Sequence, residues 1–127
     1  MTDLVQHFRD NNPAQANRLA ELRKRILAVA ENRNVSPIEE TLKWGQPSLV
    51  PPKRDGTTLR LGAREGLCVL YVHCQTNLVE QWRSLFNSDF EFEDNRAVLI
   101  PADGTYNTTA FDQIAAMALC YHRDKRA

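Results

Sequence analysis

The sequence is poor in the features that announce a function outright. Its five glycines (Gly45, Gly56, Gly62, Gly66 and Gly104) fall in no phosphate-cradling or dinucleotide fingerprint, so nothing marks a nucleotide site. No apolar run approaches the ~20 residues that a membrane-crossing helix needs. Met1-Thr2-Asp3 lacks the basic start and apolar stretch of a secretory leader. Lys plus Arg and Asp plus Glu number 16 each, so no net field draws the chain to nucleic acid or an anionic bilayer. No helix carries two histidines at metal-ligand spacing. A nucleophile–base arrangement is not recognisable either, which makes an enzyme the least supported class and implies no cofactor.

Cysteine is scarce and odd in number. Cys68, Cys74 and Cys120 lie in apolar contexts, which predicts reduced, buried thiols in a cytoplasmic protein rather than a disulfide framework. Cys68 and Cys74 stand about 20 Å apart along one strand, too far to bridge. What the chain has in ordinary measure is core material: 127 residues, 43% hydrophobic and 25% charged, enough for one globular domain.

Periodicity predicts an α+β order. A first helical piece spans residues 3–10, with Leu4, Val5 and Phe8 on one side. The long helix 13–33 has a buried stripe of Ala16, Leu19, Leu22, Ile26, Val29 and Ala30. Its other face carries Arg18, Arg23, Lys24, Arg25 and Arg33 against Glu21 and Glu31, read as a solvated surface rather than a nucleic-acid face. Ser36 and Glu39 form a capping-box pair with Pro37 at a first-turn position. A short helix is therefore expected there, stopped by Gly45 in a left-handed conformation just past Trp44. Gln46 before Pro47 starts a strand over 47–50. Residues 51–56, rich in turn formers and charge, are expected to be an exposed loop.

Residues 58–64 alternate, Glu65-Gly66 turns the chain, and 67–74 make the strongest strand. Cys68, Leu70, Val72 and Cys74 form its apolar face, on which helices should pack. Leu67, Val69, Tyr71 and His73 form a partly exposed one. Asn77 and Glu80 open a helix to about 87, with Leu78, Val79, Trp82, Leu85 and Phe86 apolar. Residues 90–93 and 97–100 alternate around Asp94-Asn95, a hairpin signal. After a loop at 101–107, Thr109 opens the last helix, 109–122, with Phe111, Ile114, Ala115, Ala118 and Leu119 buried. Residues 123–127 should fray. The expectation is one domain: a mainly antiparallel sheet of about five strands within 46–100, with helices packed on one face.

Candidate site residues follow from that layout. Trp44 is either core or the floor of a pocket with Lys43 and Tyr71 around it. Lys43, Trp44, Arg60, Tyr71 and His73 are thus the candidate contacts of a binding module for a small molecule or a protein. Homodimer formation is among the partner arrangements considered. His73 with Tyr71 has the chemistry for acid–base work, although a sheet histidine is more often structural. His73 and Cys74 are strand neighbours that point to opposite faces and so do not chelate together. Cys68, Cys74 and Cys120 would meet only if the last helix lies on that sheet face. Glu39 and Glu40 are explained by the first turn of a capped helix. Glu91, Glu93 and Asp94 are the best acidic cluster for a metal, and a weak one.

Glu40-Thr41-Leu42-Lys43-Trp44-Gly45-Gln46-Pro47, followed by the Leu70-Tyr71 strand, resembles the YdhG-like family of bacterial domains of unknown function. Its members share a glutamate–threonine–aliphatic–lysine–tryptophan–x–x–proline signature. The similarity runs from about Leu19 to the last helix. It implies an antiparallel sheet under helices, loosely frataxin-like, and some members are described as iron chaperones. The chain departs from the pattern at Arg64-Glu65-Gly66, where many relatives carry a lysine and a histidine. Its long helix is also basic, whereas a hard cation prefers clustered carboxylates. The resemblance constrains fold more than activity.

Overall fold

A computed structural model describes residues 3–126. In chain order they form α1 (Leu4–Asn11), α2 (Ala16–Asn32), β1 (Glu39–Lys43), β2 (Gln46–Val50), β3 (Leu59–Arg64) and β4 (Leu67–Tyr71). These are followed by α3 (Leu78–Phe86), β5 (Glu91–Glu93), β6 (Ala97–Pro101), α4 (Thr108–Leu119) and α5 (Tyr121–Arg126). Helices form where apolar residues recur every three or four positions, and local caps set their starts. The Asp3 carboxylate accepts from the Gln6 N–H, and Asn107, not Thr109, caps α4 by accepting from Ala110. The strands make one antiparallel sheet of six, ordered β1-β2-β3-β4-β6-β5.

The extra strand is the main correction. Residues 39–43, inside the short helix expected over 37–44, pair along their whole length with β2, and Trp44-Gly45 is the two-residue turn between them. Trp44 (φ 57) and Gly45 (φ 76) are both left-handed, the type I′ geometry that matches the twist of paired strands. A helix of eight residues gains little stability alone, so the capping-box signal at Ser36 and Glu39 loses to sheet pairing. Trp44 consequently sits at a hairpin tip, 96% exposed. It is neither core nor pocket floor.

Register divides the sheet into two faces. Leu49, Leu59, Leu61, Cys68, Leu70, Val72, Val98 and Ile100 point to one side. There they join the α2 stripe, Trp82 of α3, and Phe111, Ile114, Ala115 and Leu119 of α4 in a single core. Leu85, one of the apolar residues of α3, is exposed. The opposite face carries Gln46, Ser48, Arg60, Gly62, Arg64, Leu67, Val69, Tyr71, Ala97, Leu99, Glu91 and Glu93, and the helices leave it uncovered.

Two expected surfaces are structural instead. The 51–56 loop is docked: Asp55 and Gly56 are buried, Thr57 N–H donates to Ala118 O, and the Asp55 carbonyl accepts from His122 and Arg123. Arg123 also binds the Asp55 carboxylate and donates to the carbonyls of Arg33 and Asn34. The stretch from 123 onward is therefore helical through Arg126 rather than frayed. Three arginines of the basic face of α2 serve as clamps. Arg23 pairs with Glu40 of β1, Arg25 makes a two-pronged pair with Asp112 of α4, and Arg18 donates to Pro101 O and Gly104 O. Among the described residues no helix is long and apolar enough to cross a membrane.

Candidate functional site

The uncovered face holds two arginines of opposite circumstance. Arg64 leaves β3 and crosses β4 and β6 to meet Glu93 of β5 in two parallel bonds of 2.6 and 2.5 Å. That geometry, with help from the nearby Tyr71 hydroxyl, raises the affinity of Arg64 for its proton. The same pair holds the Glu93 carboxyl below its ordinary value. Arg60, two pleat repeats away on β3, has no acidic partner among the described residues. Its Nε is buried and lacks a hydrogen-bond partner.

Arg60 lies in a cleft of about 280 Å³ lined by Gln46, Arg60, Tyr71, Val72, His73, Cys74 and Arg96. The sequence places these residues in specific ways. Ser48↔Arg60↔Tyr71↔Ala97 is one cross-strand row, so Arg60 and Tyr71 are neighbours on the same face. The Tyr71 ring lies over Gly62, where an added Cβ would stand 3.0 Å from the ring edge. Val72 N–H donates to Arg96 O, which brings the turn before β6 alongside the end of β4. Pro47 has no N–H to give, and pairing between β2 and β3 is confined to Ser48 and Leu49. Gln46 is thereby left unpaired with β3, at the cleft wall.

Beyond Tyr71 the chain leaves the strand. Thr76 closes a turn by donating its N–H and hydroxyl to His73 O. His73 and Cys74 therefore line the same cleft rather than opposite faces. Gln75 N–H donates to His73 Nδ1 at 3.1 Å, so the neutral ring carries its proton on Nε2. The lining thus offers two guanidinium groups, an imidazole N–H, an amide and a phenol, with no carboxylate. Such a donor set suits a carboxylate or phosphate oxygen.

Of the five candidate contacts, the cleft unites Arg60, Tyr71 and His73. Lys43 pairs with Gln46 at the neighbouring register position, on the flank, and Trp44 projects from the turn beyond it. Gln46, Cys74 and Arg96, which also line the cleft, are not among the candidate contacts read from the sequence. Arg96 follows the Asp94-Asn95 turn, and the β4–β6 adjacency that brings it here spans α3 and β5.

The metal candidates do not converge. Glu93 is engaged by Arg64, and Asp94 sits in the turn with φ 51. Among the described residues no three His, Cys, Asp or Glu side chains come together. Cys74 is exposed whereas Cys68 and Cys120 are buried, which corrects the expectation of three buried thiols. Burial pushes the Cys68 thiol up to about 11 and raises Cys120 as well.

Fold and cleft together define an α+β domain with an unpaired cationic cleft on the uncovered face of an antiparallel sheet. No family profile, curated protein or solved structure matches the chain.

Proposed function

We propose that the chain is a small-molecule binding module whose site is the Arg60–Arg96 cleft, and that its ligand carries a carboxylate or phosphate group. The observation that carries this reading is the buried, unpartnered Nε of Arg60 in a cleft free of acidic residues. A buried donor left unsatisfied costs about 1–3 kcal/mol. Its neighbour Arg64 shows how readily the same face supplies a carboxylate when a structural pair is needed. An anion bridging Arg60 and Arg96 recovers that cost. Two charge-assisted bonds of about 2 kcal/mol each correspond to a dissociation constant of order 1 mM for a bare ion, and the rest of a ligand adds to it. Tyr71, His73 and Gln46 give orientation, and Lys43 flanks the entrance.

The reading keeps the chain a YdhG-like module of the cytoplasm, where free thiols persist. Iron carriage is not favoured, since the cleft is cationic and the one engaged acidic residue of β5 serves Arg64. Calorimetric titration with inorganic phosphate tests the proposal. Saturable binding that Arg60→Gln and Arg96→Gln each weaken about tenfold is expected. Unsaturable heats, or binding indifferent to both substitutions, would sink it.

A further inference from the structure

We propose that β1 is a self-association edge, through which two copies of the chain join their sheets in antiparallel register centred on Thr41. The inference does not rest on the cleft. β1 is an edge strand, paired on one side only. Lys43 and Gln46 close the two-residue turn as a hydrogen-bonded pair. By alternation Thr41 and Glu39 also bond to β2, while Leu42 and Glu40 turn their N–H and C=O outward. Such a row is a template for another strand. Charges on an edge ordinarily discourage pairing; here their order makes one pairing selective.

A ladder forms only in registers that match outward-turned residues. Centred on Thr41, Glu40 meets Leu42 of the second copy. On the uncovered face Glu39 then stands opposite Lys43 of the second copy, twice by symmetry. Among the described residues neither Glu39 nor Lys43 has a side-chain partner within the chain. Centred on Glu40, the strands would oppose two Glu40 carboxylates. Centred on Leu42, Glu39 falls outside the overlap. The other edge is unsuited: β5 paired about Phe92 would set Glu91 against Glu93. Leu42 is 41% exposed, and with the exposed Trp44 it gives this strand end an apolar border. In the joined sheet Trp44 comes beside Ile38 of the second copy.

A five-residue edge is small, so the association belongs with weak, transient ones. Sedimentation equilibrium up to millimolar concentration tests it on the wild type, Glu39→Lys, Lys43→Glu and the double exchange. Each single reversal sets two like-charge pairs opposite one another and should weaken the dimer about tenfold or more, and the double exchange should restore it to within about threefold. Leu42→Pro, which removes only an outward N–H from the ladder, should be monomeric; far-UV circular dichroism checks that it folds, and the charge exchange decides the matter if it does not. A wild type that stays monomeric at millimolar concentration would overturn the proposal, as would a double exchange no tighter than the single reversals.

Discussion

Gly56→Ala is the substitution whose cost the structure specifies most closely. An added Cβ would lie 2.1 Å from the Leu119 carbonyl oxygen, 2.4 Å from its carbon and 2.5 Å from Ala118 O. All three are backbone atoms of a helix end, so no side chain can swing aside. Ordinary contact begins near 3.5 Å, and the loop must therefore retreat by roughly an ångström or more. Retreat lengthens the Thr57–Ala118 bond of 3.0 Å and the two bonds from the Asp55 carbonyl to α5, at 2.9 and 3.0 Å. Losing two of these at about 1 kcal/mol each, with overpacking of about 1–3 kcal/mol, gives a destabilisation of roughly 3–5 kcal/mol. Urea unfolding measures it, and a Tm lowered by about 10–20 °C should accompany it. Gly45→Ala is the control. It meets nothing within 4 Å but keeps φ +76, so only the left-handed penalty of about 1 kcal/mol applies. If Gly56→Ala lies within 1 kcal/mol of wild type by the same assay, the docking of this loop onto α4 is wrong.

The two tryptophans should behave oppositely. Trp82→Ala, at a fully buried position, should cost about 3–5 kcal/mol. Trp44→Ala should cost under about 0.5 kcal/mol, and Trp44→Asn should stabilise, since asparagine tolerates the left-handed turn; equal losses at both sites would refute the hairpin assignment. Thiol titration of folded protein should modify Cys74 quickly and Cys68 and Cys120 only on unfolding, and uniform rates would contradict the burial pattern. Because burial holds Cys68 protonated up to about 11, whereas an unfolded thiol ionises near 8.5, the unfolded state binds fewer protons between those values. Stability is then fully present below about pH 8.5 and declines as pH rises toward 11; a Cys68→Ser variant with the same alkaline decline would remove the cause.

Much of the fold was legible because its signals are long and redundant. The stripe from Ala16 to Ala30 repeats over four turns, and Cys68, Leu70 and Val72 alternate cleanly; both lie in the core. Short polar segments were not legible. Glu39–Lys43 has no apolar alternation, and its state is decided by pairing with β2, which no local residue encodes. Gly45 was correctly read as left-handed, but the same conformation serves a helix stop and a type I′ turn. The 51–56 segment has loop chemistry and is a loop, yet its burial depends on α4 arriving from more than 60 positions away. The cleft was half visible for the same reason. Arg60 and Tyr71 follow from strand alternation on β3 and β4, whereas His73 is turned into the cleft where the chain leaves β4 and Arg96 is delivered by the turn before the non-sequential strand β6.

The anion cleft is tested most directly at the Nε–H of Arg60 itself, observed by NMR as inorganic phosphate is added at constant ionic strength. The Arg60 resonance should move along a saturating curve, together with that of Arg96. The Arg64 resonance should stay in place, because its guanidinium is already engaged by Glu93. An Arg60 resonance that does not move, or one that drifts linearly in step with Arg64 and the surface arginines, would contradict the assignment of this cleft as the binding site.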